Sequence, residues 1–229
     1  MLHLQGYGPS IWDGTLLTIN VSLVSLAIAV LLGILGALAK LSGIGILRVL
    51  AQIYTTVIRG VPDLVLMLLV FFGGQMLVNQ LATMAGYEEY IDINPYIAGV
   101  STIGFIFGAY MTETFRGAIL AVPHGQLEAG QAYGMSRSLV FFRILLPQMI
   151  RHAIPGFGNN WLVLTKATAL VSIIGLDDMV RKASLAAGAT RMPFTFYAAI
   201  ALIYLMITTV SVYLLGWLEK KYSHGVRRD

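Results

Sequence analysis

From Gly14 to Ala39 the chain carries no Asp, Glu, Lys, Arg or His. A helix that crosses a bilayer core needs about 20 predominantly apolar residues. In lipid, only helices and closed barrels satisfy their own backbone polar groups. A run of this length therefore commits the segment to a membrane-spanning helix. Four further apolar stretches extend the pattern. Together they predict an all-α integral membrane protein with five spans, at about 14–39, 47–82, 93–116, 152–176 and 192–218, in a single domain 1–229. The second span reads as one long helix kinked at Pro62, and the fourth is interrupted by Lys166 and loosened by Pro155, Gly156 and Gly158.

Composition agrees. Hydrophobic residues make up 57% and charged residues 11%, against about 25% charged in an ordinary soluble domain. The mean hydropathy is +0.78. That argues against a soluble enzyme or a nucleic-acid binder, and the +4 net charge is what cytoplasmic loops of a membrane protein accumulate. The absence of Lys or Arg before Lys40 argues against a cleavable signal peptide.

Basic residues in alternate connections set the orientation. Lys40, Arg48 and Arg59, then Arg116, Arg137, Arg143 and Arg151, then Lys220, Lys221, Arg227 and Arg228 fall on one side. The connection around Glu88, Glu89 and Asp92 has none, and the one after span four has only Arg181, Lys182 and Arg191. The N-terminus is expected outside, the C-terminus inside, and the segment 117–151 in the cytoplasm.

No catalytic or metal site is expected. There is no Gly-x-x-x-x-Gly-Lys-Ser/Thr loop for nucleotide phosphates and no Gly-x-Ser-x-Gly elbow. His3, His124, His152 and His224 are scattered, and there is no cysteine. Energy for any transport must come from another chain or from a gradient.

The cytoplasmic segment has local order. Pro123 suits a helix start and Gly134 a helix stop. Ser136 can cap a second helix that ends before Pro147. Two short helices joined by a glycine form either a rigid elbow that transmits force or an interfacial hairpin lying on headgroups.

Glu128-Ala129-Gly130, three residues, Gly134, nine residues, then Ile144-Leu145-Leu146-Pro147 resembles the EAA loop of bacterial ABC importer permeases, which reads Glu-Ala-Ala, three residues, Gly, nine residues, Ile-x-Leu-Pro. Gly130 departs from the second alanine, a change that loosens a helix by about 1 kcal/mol. Arg59-Gly60-Val61-Pro62-Asp63-Leu64, Tyr110 to Gly117, and Gly158-Asn159-Asn160-Trp161 are similar to segments of the polar amino-acid permeases of HisQ type. The likeness runs from about 52 to 226.

This resemblance implies a type I (MetI-like) permease fold in a bacterial inner membrane. It implies a subunit carrying polar, chiefly basic amino acids such as histidine, lysine, arginine and ornithine, with an opine or glutamine as the alternative cargo. It also implies partners: a HisM-type second permease or a second copy, a cytoplasmic ATPase dimer that binds ATP and Mg, and a periplasmic amino-acid-binding protein. Glu128, Ala129, Gly130, Gly134, Ile144, Leu146 and Pro147 are then the ATPase-coupling residues. A gradient-driven carrier is the reading without the ATPase.

Charges at membrane depth are expensive and invite functional roles. Asp63 and Glu113 are candidates for a cationic substrate pathway. Alternatively Arg59–Asp63 and Glu113–Arg116 pair locally, at four and three residues' spacing. Asp177 and Asp178 are candidates for an outer entrance or members of a solvated loop beside Arg181 and Lys182. Lys166 is read as structural. Gly104 and Gly108 form a Gly-x-x-x-Gly pair suited to close helix approach.

Overall fold

The computed structural model describes residues 4–87 and 89–222. Glu88, His3, His224, Arg227 and Arg228, used in the sequence reading, lie outside them. Among the described residues every regular element is helical: α1 (Gly8–Leu41), α2 (Gly45–Gly60), α3 (Asp63–Met84), α4 (Pro95–Leu120), α5 (His124–Ala132), α6 (Arg137–Val140), α7 (Leu146–Ala167), α8 (Met179–Thr190) and α9 (Pro193–Tyr222). A π-turn at Phe141–Leu145 joins α6 to α7, and a 3₁₀ turn at Thr168–Ser172 follows α7.

α1, α3 and α9 are each long and apolar enough to cross a membrane. Their exposed surfaces are studded with Leu, Val, Phe and Met, which is what a helix facing hydrocarbon requires. α4 is the interior helix. Val100, Ile103, Ile106, Phe107, Ala109 and Met111 are all buried on it, and α1 makes its most extensive packing there. That packing depends on small side chains. A Cβ on Gly104 would stand 2.6 Å from Ile28 Cγ2, and one on Gly108 would stand 2.8 Å from Leu32 Cβ. The Gly-x-x-x-Gly pair thus lets two helix backbones approach, as dispersion-driven packing in lipid demands.

The structure corrects three expectations. The segment 47–82 is not one kinked helix. α2 stops at Gly60, Val61 is extended at φ −112° and ψ 139°, and α3 restarts at Asp63. Pro62 lacks an N–H and its ring excludes the residue before it from helical geometry, so the chain breaks rather than bends. Second, the helix after Ser136 does not end before Pro147. It passes through the π-turn into α7, where Pro147 occupies the first turn and its missing N–H costs nothing. Third, the connection after span four contains α8, whose Met179, Ala183, Ala186 and Ala187 are buried against α1 and α9.

Candidate functional site: a cytoplasmic elbow and a polar cleft

The elbow is built by backbone geometry. At the end of α5 the Met135 N–H donates to the Gly130 carbonyl (3.1 Å) and the Gly134 N–H to the Gln131 carbonyl (2.9 Å). These two bonds are the Schellman closure, which needs a left-handed residue at the position of Gly134, and Gly134 has φ +82°. The Ser136 hydroxyl oxygen then accepts from the Leu139 N–H and caps α6. The two helices are clamped together. Gly130 is buried, and a Cβ there would meet Ile144 Cδ1 at 2.6 Å and Val140 Cγ2 at 3.2 Å. Gly130 therefore lets α5 lie close against Ile144 and Val140. Gln148 Nε2 donates to Gln126 Oε1 (2.6 Å) and to the Ile144 carbonyl (3.1 Å), pinning α5 to α7.

Glu128, Ala129, Gly134 and Pro147 are exposed on this elbow, while Ile144 and Leu146 are half-buried beneath it. Tyr133 and Phe142 add exposed aromatic rings, 88% and 64% accessible. A shallow depression of about 370 Å³ lies between Ala129, Tyr133, Met135 and Arg143. The helix pair thus presents an acidic residue and bare aromatic rings on an exposed surface.

The cleft is built by charge. Lys40 at the end of α1 is 9% exposed. Its ammonium donates to Glu113 Oε1 across the α1–α4 interface and to Gln52 Oε1 at 2.8 Å. The other Glu113 oxygen accepts from Arg116, with Nη2 at 2.9 Å and Nε at 3.0 Å. Glu113 is thus held by two cations and is poorly placed to receive a third. Thr55, Arg59 and Gly60 join these residues around a polar cavity of about 290 Å³.

Asp63 differs. It is half-buried in the first turn of α3, where the helix dipole favours a carboxylate. Among the described residues no ion pair joins it to Arg59, whose guanidinium instead sits 5.5 Å over the Tyr110 ring. The break at Val61–Pro62 removes the helical register that a four-residue pair requires.

The outer-entrance pair splits. Asp177 is exposed and accepts from Arg181 at 2.9 Å. Asp178 is fully buried, so it cannot receive a ligand at a surface. Its Oδ1 accepts from the Arg181 N–H (2.9 Å) and caps α8. Burial pushes its carboxyl up to about 6, against backbone donors that pull it down. Lys166 is exposed in the last turn of α7, a position where a cation is favoured. Three groups escaped the sequence reading as site members: Lys40, Gln52, and Asn160, which donates to Thr114 Oγ1 at 2.9 Å. Lys40 meets Glu113 and Asn160 meets Thr114 only through the tertiary fold, because those partners are far along the chain.

A bundle of long apolar helices with a charged cleft between them and an exposed helix pair outside it has the architecture of a membrane transport subunit. The chain belongs to the family of binding-protein-dependent transport system inner membrane components, whose model matches residues 29–224. It is 50% identical over 225 residues to the histidine/lysine/arginine/ornithine transport system permease protein HisQ of Salmonella typhimurium, covering 98% of each chain. It is 40% identical over 231 residues to the octopine transport system permease protein OccQ of Rhizobium radiobacter, covering 99% of this chain and 98% of that one. A crystal structure of an amino acid ABC transporter with histidines superposes with a TM-score of 0.80 at 33% identity, over 94% of this chain and 95% of that one. The inward-facing MetNI methionine transporter shares the fold, with a TM-score of 0.68 at 14% identity. The protein is an all-helical ABC importer permease subunit of MetI-like fold in the inner membrane.

Proposed function

We propose that this subunit carries basic amino acids inward by alternating access, pairing with a second permease of its own kind. Its elbow docks on a cytoplasmic ATPase dimer that binds ATP and Mg. A periplasmic amino-acid-binding protein delivers the cargo. The observation that carries the reading is the Schellman-closed, exposed elbow with Glu128 on its outer face. A loop closed by defined hydrogen bonds and interlocked through Gly130 moves as one piece, so displacement of the docking helix reaches α7 without being absorbed.

The topology follows the positive-inside count: N-terminus out, C-terminus in, with α1, the α2–α3 pair, α4, α7 and α9 as the five spans. Arg59, Tyr110 and Asp63 line one face of the path. Asp63 offers an uncommitted carboxylate for the cationic side chain or the α-ammonium group. Glu113 positions helices through Lys40 and Arg116 rather than binding cargo. The chain contributes no step of ATP hydrolysis; its part is a path with two stable arrangements, biased by the state of its partner.

The test is reconstitution with candidate partners, measuring ATP-dependent uptake of labelled arginine, histidine, glutamine and octopine. Uptake of the basic amino acids that requires the ATPase and the binding protein supports the reading. Uptake driven by an ion gradient without them contradicts it. Preference for octopine would move the cargo to the opines and leave the machinery as described.

A further inference from the structure

Among the described residues three buried side-chain polar atoms lack a hydrogen-bond partner. Two of them, Asp178 Oδ2 and the Tyr204 hydroxyl, stand close enough to act on each other electrostatically. The Thr168 hydroxyl adjoins the same phenol. Three elements meet there. Asp178 is the N-cap of α8, Tyr204 belongs to α9, and Thr168 opens the 3₁₀ turn at the end of α7 away from the elbow. Asp178 and Thr168 are fully buried. α1 walls the place off with uncharged groups. A Cβ on Gly14 would stand 2.8 Å from Met179 Cα, and Thr18 Oγ1 accepts from the Met179 N–H at 3.3 Å.

The donors and acceptors at this place define what fits it. Asp178 Oδ1 is taken by the Arg181 N–H, and an ionised Oδ2 can only accept. The Thr168 O–H donates to the Thr165 carbonyl at 2.7 Å, so its oxygen has only lone pairs to offer. Tyr204 has one O–H to give. The occupant must therefore donate twice and accept once. Water does both, and a buried water typically makes about three hydrogen bonds to groups that are otherwise unsatisfied. A metal cation would accept nothing from the Tyr204 O–H. Arg181 and Asp177 are the charged side chains that act on the Asp178 carboxyl. The Arg181 guanidinium is engaged elsewhere, with Nε on Asp177 at 2.9 Å and Nη1 on the Ser172 carbonyl at 3.4 Å.

We infer that one internal water is bound here, donating to Asp178 Oδ2 and Thr168 Oγ1 and accepting from the Tyr204 O–H, so that a single exchangeable molecule joins α8 to the end of α7 and to α9. Tyr204 is then a positioning residue for α8. The joint stands whatever the cargo and whatever drives the elbow. It also gives α8 a link to α7: a tilt of α7 carries the 3₁₀ turn with it, and α8 follows through the water without a direct bond between the two helices.

The direct test is a density map of the assembled transporter at a resolution that shows ordered water. It should contain one peak at about 2.6–3.2 Å from all three oxygens. A dry site overturns the inference, and so does a peak with the shorter contacts and higher coordination of a metal cation. A second test uses melting of the detergent-solubilised transporter. Tyr204→Phe removes the hydroxyl and keeps the ring. Hydrogen bonds to an ionised carboxylate are about twice as strong as those between neutral groups. The fall in melting temperature on Tyr204→Phe should therefore be about twice as large at pH 8, where Asp178 is ionised, as at pH 5. Asp178→Asn should remove that difference, and in its background Tyr204→Phe should cost less than it does alone. Equal falls at the two pH values, or additive losses in the double variant, would show that the phenol only packs and would overturn the inference.

Discussion

The two functional regions are made by opposite means. The elbow holds its shape with backbone hydrogen bonds, a left-handed glycine and a side-chain-free contact at Gly130. The cleft holds its shape with partly buried ions, where Lys40 and Arg116 share one carboxylate. An elbow that transmits displacement needs stiffness without bulk. In the cleft the ions compensate one another, since a lone buried charge costs several kcal/mol. Backbone substitutions should therefore disable the first region, and charge substitutions the second, with different signatures.

The largest effect should come from Gly130→Leu. Its side chain has no room beside Ile144 and Val140, so α5 must lift from the π-turn. ATP-driven uptake of every substrate should be lost, while membrane insertion, followed by fractionation, is retained. Uptake near the unaltered level would show that the two helices do not move as one.

Next comes Glu113→Gln, which leaves Lys40 buried without its counter-charge. Removing one member of a buried pair costs about 3 kcal/mol or more. The yield of folded, assembled transporter should fall, and uptake should fall equally for all cargoes. Asp63→Asn should behave otherwise: assembly stays intact and uptake of arginine falls roughly tenfold, about 1.4 kcal/mol, with a smaller change for neutral glutamine. If both variants lost all cargoes equally, the distinction between a positioning acid and a pathway acid would collapse.

The smallest effect concerns pH. Asp178, outside the spans, has its folded-state carboxyl raised to about 6, above its unfolded value. The folded state therefore binds the proton more tightly, and stability falls as pH rises through about 6. Lowering the pH from 7 to 5 should stabilise the protein by about 1 kcal/mol. The melting temperature of the detergent-solubilised protein should rise accordingly, and Asp178→Asn should flatten that rise.

Much of this is legible in the sequence. The long charge-free run at 14–39 announced α1, and Pro123, Gly134 and Ser136 marked the elbow's joints, because caps and turns are written locally. What escaped is non-local or short. Lys40 and Glu113 are far apart in sequence and meet only when α1 lies along α4. α8 is hard to see in the sequence because Asp177, Asp178, Arg181 and Lys182 mask a short apolar face of alanines and Met179. Pro62 signals a disturbance but not its size: a helix inside a bundle bends at proline when its neighbours resupply the lost bond, whereas here the chain opens at Val61. Gly130 also has a close approach to Ile144 and Val140 that helix propensity does not contain.

The claim on which the rest depends is that the left-handed turn at Gly134 makes the cytoplasmic helix pair a rigid transmission element. The most direct measurement is ATP-driven uptake by a graded series at that position, with the amount of assembled transporter held equal. Gly134→Asn tolerates positive φ and should keep a substantial fraction of uptake, whereas Gly134→Val, strongly disfavoured there, should abolish it while ATP still binds the partner. Equal uptake by the two variants would contradict the claim.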